Sequence, residues 1–143
     1  MERARDLFEQ ALEECPPKYA KPIYLMYGKL EEEHGLARHA MRIYDRATKA
    51  VADEDRMVMF EYYIAKATES FGVMASREIY ERAIEALPDK DVRIMSLRYA
   101  ELERKLGEID RARAIYGFAS QLFDPRVSFF FFEKKYVPKF CLY

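Results

Sequence analysis

Apolar and small side chains recur along this chain with a helical step, at i, i+3, i+4 and i+7, in blocks separated by short polar turns. Four blocks share one pattern: ARDLFEQAL from Ala4, AMRIYDRAT from Ala40, SREIYERAI from Ser76 and ARAIYGFAS from Ala112. Their aromatics are Phe8, Tyr44, Tyr80 and Tyr116, each 36 residues after the one before. Three residues after each aromatic stands Ala11, Ala47, Ala83 or Ala119. A second set, Tyr27, Tyr63 and Tyr99, keeps the same step of 36, and each is followed within nine residues by Gly35, Gly72 or Gly107. Two interleaved sets holding one period make this a repeat.

Each unit reads as two helices. In the Ala-x-x-aliphatic-aromatic-x-x-Ala blocks, small residues seven apart lie two turns apart on one face, so a neighbouring helix can approach closely there. The partner helices are predicted near residues 18–34, 54–71 and 91–106. The three glycines stand where a left-handed C-terminal cap belongs. Pro16 with Pro17, Pro88 and Pro125 are expected to end the alanine-aromatic helices, because proline cannot continue the hydrogen-bond ladder. The expected fold is all-α: a right-handed superhelical solenoid of about seven helices with an irregular tail. Residues 1–125 would hold the second helix of one unit and then three helix pairs, with 126–143 as an irregular or capping tail. The chain begins in a second-type helix, which predicts a piece of a longer array or a truncated product. Tyr80→Ala is expected to cost about 3–5 kcal/mol by removing a buried aromatic.

Composition narrows the function. Half of the 143 residues are hydrophobic and 34% are charged, which is enough for a core and too apolar for a disordered tail. The net charge of −1 gives no basic excess for gripping phosphate along a nucleic acid. No 18-residue apolar run exists to span a membrane. Cys15 and Cys141 lie at opposite ends, without disulfide or metal spacing, and point to a reducing compartment. No phosphate-binding loop, nucleophile elbow, zinc-protease or paired-cysteine motif occurs, so neither an enzyme nor a cofactor is expected. His34 and His39 flank Gly35 and read as a helix-end partner and a solvated residue rather than a metal pair.

Three features are candidate partner contacts. The acidic run Glu31, Glu32 and Glu33 would suit a basic segment, against the plain alternative of a solvated helix face. Phe118 follows Gly117 where the other blocks carry polar pairs, so an apolar residue stands on a polar face. The tail, with Phe129 and Phe130 in a four-phenylalanine run and Lys134, Lys135 and Lys139 beside it, mixes rings and charge. That mixture is compatible with RNA binding by stacking and phosphate contact, with folding back over the last helices, or with disorder. Self-association through open solenoid ends and a general peptide-binding adaptor of the tetratricopeptide kind also remain open.

The 36-residue step and the motif REIYERAI (residues 77–84) resemble the half-a-TPR (HAT) repeat. HAT repeats commonly carry a Trp in the first helix. This chain has none, and Tyr27, Tyr63 and Tyr99 take up aromatic packing there. The stretches CPPKYAKPIYLMYGKLEEEHGLARHAM (residues 15–41) and KLGEIDRARAIY (residues 105–116), with DPR at 124–126, resemble the C-terminal half of pre-mRNA-splicing factors of the Syf type. The resemblance covers residues 1 to about 126 and is lost in the tail. It implies a non-catalytic, nuclear protein–protein scaffold in the spliceosome. The implied partners belong to the Prp-nineteen-associated complex and to an intron-binding complex containing the helicase Aquarius. The resemblance also implies a tie to transcription-coupled DNA repair.

Overall fold

The computed structural model describes residues 1–122. These form seven α-helices and a 3-10 turn at Val73–Ala75, with no strand among the described residues. The helices are α1 (Glu2–Glu13), α2 (Pro17–Glu33), α3 (Ala37–Ala50), α4 (Asp53–Phe71), α5 (Ser76–Ala86), α6 (Asp89–Lys105) and α7 (Ile109–Gln121). The all-α, helix-pair expectation holds. Helices α2, α4 and α6 are the first-type helices, and α1, α3, α5 and α7 carry the alanine-aromatic blocks. Pro125 and the tail lie outside the described residues.

The described residues make two compact units, 1–79 and 80–122, and the boundary falls within α5. In the first unit α2 lies against α1, α3 and α4, and α3 against α4. In the second, α6 and α7 pack together.

Two of the three glycine turns follow the expected chemistry. At Gly35 (φ 74°) the Leu36 N–H donates to Glu31 O and the Gly35 N–H to Glu32 O. At Gly107 (φ 83°) Glu108 N–H donates to Glu103 O and Gly107 N–H to Arg104 O. Both are Schellman caps, which close the orphan carbonyls of the helix end. Gly72 corrects the expectation: its φ of 88° is paired with ψ 171°, outside the left-handed helical well. The chain there runs out extended and enters the 3-10 turn, whose end is bound by Ser76 Oγ donating to Val73 O at 2.6 Å. The sequence carried a sign of this, since Gly72 stands nine residues after Tyr63 whereas the other two stand eight after theirs.

The prolines open helices more than they end them. Pro16 and Pro88 hold extended backbone (φ −60°, ψ 145° and φ −67°, ψ 156°) at the N-caps of α2 and α6, and Pro17 is the first residue of α2. A proline at a first turn loses no bond, because those N–H groups are orphans anyway. Pro22, inside α2, does leave the Lys18 carbonyl without its i+4 donor.

The repeat stripe forms the cores. Tyr27, Ala40, Tyr44, Ala47, Met59, Phe60 and Tyr63 are buried in the first unit, and Ala83, Met95, Tyr99, Ala112, Tyr116 and Ala119 in the second. Helix α1 is the exception: none of its residues is buried, Phe8 is half-buried and Ala11 is exposed. The reason is geometric. Among the described residues α1 packs against α2 alone, whereas α3 packs against both α2 and α4. Tyr80 is also half-buried, stacked on Tyr99 with ring centres 5.2 Å apart. Tyr80→Ala is therefore expected to cost about 2–3 kcal/mol, nearer the lower bound for aromatic truncation. A thermal melt unchanged from the parent chain would exclude that.

Candidate interaction surface

The two tyrosine sets of the repeat meet in space. Phe8 stacks on Tyr27 (centroids 5.0 Å, 6° between planes), and 72 residues on Tyr80 stacks on Tyr99 at 3°. Each stack joins a second-type helix to the first-type helix after it. Tyr63 and Tyr116 are buried core residues, and the Tyr116 hydroxyl reaches Glu101 at 3.5 Å.

The acidic run is divided among three environments. Glu31 is fully buried and accepts two hydrogen bonds from Arg5, Nε to Oε1 at 2.6 Å and Nη2 to Oε2 at 2.8 Å. His39 Nδ1 stands 3.0 Å from the same carboxylate. The Arg5 hydrogen bonds, with His39 adding to them, outweigh burial and hold the Glu31 carboxyl down at about 2. Glu32 accepts from the Tyr44 hydroxyl at 3.0 Å and pairs with Lys66 Nζ at 3.1 Å. Burial and that hydrogen-bonded carboxylate push the Tyr44 phenol far up, so it stays a donor. Glu33 alone faces solvent, with only Lys29 at 4.0 Å. The reading of the run as one solvated face is thus corrected for Glu31, whose side chain points into the α1–α2–α3 junction. His39 is corrected with it, from a solvated residue to a member of that cluster. His34 does serve the helix end, its Nδ1 2.7 Å from Leu30 O.

A second tie joins α1 to α3: Arg46 donates from Nη1 and Nη2 to Glu9 at 2.7 and 2.9 Å. The Arg46 guanidinium holds the Glu9 carboxyl below its ordinary value.

The second unit carries two open grooves. One, of about 440 Å³, is lined by Tyr80, Leu97, Arg98, Glu101, Leu102, Lys105 and Tyr116. Its Glu101 is engaged by Arg104 at 2.6 Å. The other, of about 430 Å³ and mostly apolar, runs between α5 and α7 and includes Glu81, Ile84, Tyr99, Arg111 and Phe118. Phe118, singled out for its place on a polar face, is 43% exposed on this groove. Phe129 and Phe130 lie outside the described residues. Among the described residues no group of His, Cys, Asp and Glu is placed to hold a metal ion, and no helix is long and apolar enough to cross a membrane.

The family described as the Pre-mRNA-splicing factor Syf1/CRNKL1 C-terminal HAT repeat matches residues 1–137. The chain belongs to this family. Its HAT relatives include the pre-mRNA-splicing factor syf1 of Aspergillus fumigatus, 66% identical over 134 residues, and that of Pyricularia oryzae, 68% identical over 134. The pre-mRNA-splicing factor SYF1 of Rattus norvegicus is 60% identical over 133 residues. These alignments cover 93–94% of this chain and 16% of each relative. The Syf1/CRNKL1 match runs to residue 137, which corrects the expectation that likeness is lost after about residue 126.

Sequence reasoning missed two features of this HAT segment. Gly28 was not singled out, although a buried glycine inside a helix carries an entropic cost that packing must offset. The burial of Glu31 was also missed, although Glu103 repeats it 72 residues on, fully buried and 3.9 Å from Arg111 Nε. A carboxylate recurring in register beside a recurring base is the signal that could have found it.

Proposed function

We propose that the chain is a non-catalytic segment of a splicing-factor scaffold, acting in the nucleus by presenting its helical surfaces to other proteins of the splicing machinery. The family match over residues 1–137 carries this reading. Identity of 60–68% to relatives named as pre-mRNA-splicing factors supports it. The fold suits the role: helix pairs bury their stripes locally and leave long outer faces for partners. Partners of the Prp-nineteen-associated and intron-binding complexes, and a role in transcription-coupled repair, belong to the same proposal.

The test is co-purification of the tagged chain from nuclear extract, with and without ribonuclease, followed by mass spectrometry. Splicing proteins are expected in both samples. Recovery that vanishes on ribonuclease treatment would replace protein contact by an RNA tether. A folded chain that recovers nothing above background would remove the scaffold reading for this segment.

A further inference from the structure

The repeat register exposes a difference between two equivalent grooves. Positions 9, 12 and 13 of α1 correspond to 81, 84 and 85 of α5, and positions 42 and 46 of α3 to 114 and 118 of α7, each 72 residues on. The acids and the aliphatic residue are kept: Glu9, Leu12 and Glu13 become Glu81, Ile84 and Glu85. The arginines are not. Arg42 and Arg46 become Ala114 and Phe118. In the first unit Arg46 spans the gap and satisfies Glu9. In the second, nothing basic spans it from α7 at those positions, and the groove stays open over Ile84, Ala114, Ile115 and Phe118.

The charges at this groove are unevenly satisfied. Glu81 turns to the Tyr99 hydroxyl, which donates at 3.0 Å, and to Arg111 at 3.7 Å. Arg111 is shared with Glu103 at 3.9 Å, so its single charge is divided between two carboxylates. Glu85 is exposed on the rim and is engaged in no hydrogen bond or ion pair among the described residues. An exposed aromatic, an aliphatic floor and a spare carboxylate thus lie side by side.

We propose that the α5–α7 groove docks a short basic, apolar segment of a partner protein. One aliphatic or aromatic side chain of the segment sits between Phe118 and Ile84, and a Lys or Arg within a turn of it meets Glu85. Apolar contact supplies the affinity and the carboxylate the selectivity. Glu81 and Glu85 on the rim disfavour an RNA phosphate at the same place. This deepens the scaffold reading and rests on it.

The test uses the full chain and two short amphipathic helical peptides of identical apolar face, one flanked by lysines and the other by glutamates. Fluorescence anisotropy is expected to show the lysine peptide binding at least about tenfold more tightly. Glu85→Lys should erase that preference. Phe118→Arg restores the side chain found in the equivalent groove, where it can pair with Glu81. It should abolish binding while leaving the circular dichroism and the melt intact. With Phe118→p-benzoylphenylalanine, irradiation should cross-link the lysine peptide.

Absence of binding, equal binding of the two peptides, or undiminished binding to Phe118→Arg would each overturn the proposal. A photo-cross-link confined to the chain's own residues would overturn it too, by making the occupant internal. Co-purification separates the two readings: Phe118→Arg that still recovers splicing proteins leaves the scaffold standing and removes only the groove.

Discussion

Tyr44→Ala is expected to bring the first unit close to unfolding while leaving it folded in the absence of denaturant. Tyr44 is the largest fully buried side chain there, with 0% exposure. Its hydroxyl donates to Glu32 at 3.0 Å, and its ring meets Tyr62 edge-on at 5.2 Å. Truncating a buried aromatic costs about 3–5 kcal/mol, which consumes most of the stability a unit of this size holds. Tyr44→Phe keeps the ring and removes only the donor. Because Glu32 retains Lys66, its cost should be about 1 kcal/mol.

The same ring explains Gly28, which sits buried inside α2. A Cβ placed at Gly28 would collide with Cε1 and Cζ of Tyr44 and stand 2.7 Å from its hydroxyl. Elsewhere in a helix Gly→Ala gains about 1 kcal/mol. Here Tyr44 is enclosed on all sides and cannot yield, so the overpacking cost of about 1–3 kcal/mol wins and Gly28→Ala destabilises. In the Tyr44→Ala background the obstacle is gone, and the same substitution should stabilise instead. Urea unfolding of the four chains measures this sign reversal directly. Additive effects would mean that the Gly28–Tyr44 contact is not what fixes the glycine.

The fold was legible because its signal is periodic. Phe8, Tyr44, Tyr80 and Tyr116 mark one helix face at a constant step, and the spans of α2, α4 and α6 follow from the glycines behind Tyr27, Tyr63 and Tyr99. Burial along the stripe differs with the neighbours of each helix: Ala47 on α3, between α2 and α4, is enclosed, and Ala11 on α1, against α2 alone, is not. The surface was harder to read. Glu31, Glu32 and Glu33 are chemically identical in sequence, and their fates differ because successive helical residues point about 100° apart. One meets Arg5 across the α1–α2 contact, the next meets Tyr44 and Lys66, and the last meets water. Phe118 could be singled out as an anomaly on a polar face. That it borders a groove required knowing that Arg46, its counterpart, spans the corresponding gap.

Acid is expected to release α1 from the first unit before the rest unfolds. Helix α1 buries no residue of its own, so it is held by the Phe8–Tyr27 stack and by the Arg5–Glu31 and Arg46–Glu9 pairs. Glu31 carries the largest electrostatic share, since its carboxyl is held at about 2 against an ordinary 4.5. A depressed carboxylate contributes stability that is fully present above its unfolded value and lost as pH falls through the folded one. The window therefore runs from about pH 4.5 down to about pH 2, and the contribution at stake is about 3 kcal/mol. Glu9 is lowered too and acts in the same direction, though its partial exposure makes its share small. Helices α3 and α4, joined through Met59, Phe60 and Tyr63, have their own apolar core to hold them in this range. Residue-resolved hydrogen exchange should then show α1 amides losing protection across the window while those of α3 and α4 keep theirs. Arg5→Ala should reproduce the loss at neutral pH, because it leaves a buried carboxylate with His39 alone. Glu31→Gln should weaken α1 at every pH and flatten the dependence. If α1 protection in the parent chain were level from pH 5 to pH 2, the Arg5–Glu31 pair would be geometry without energetic consequence, and the Phe8–Tyr27 stack would have to hold the helix by itself.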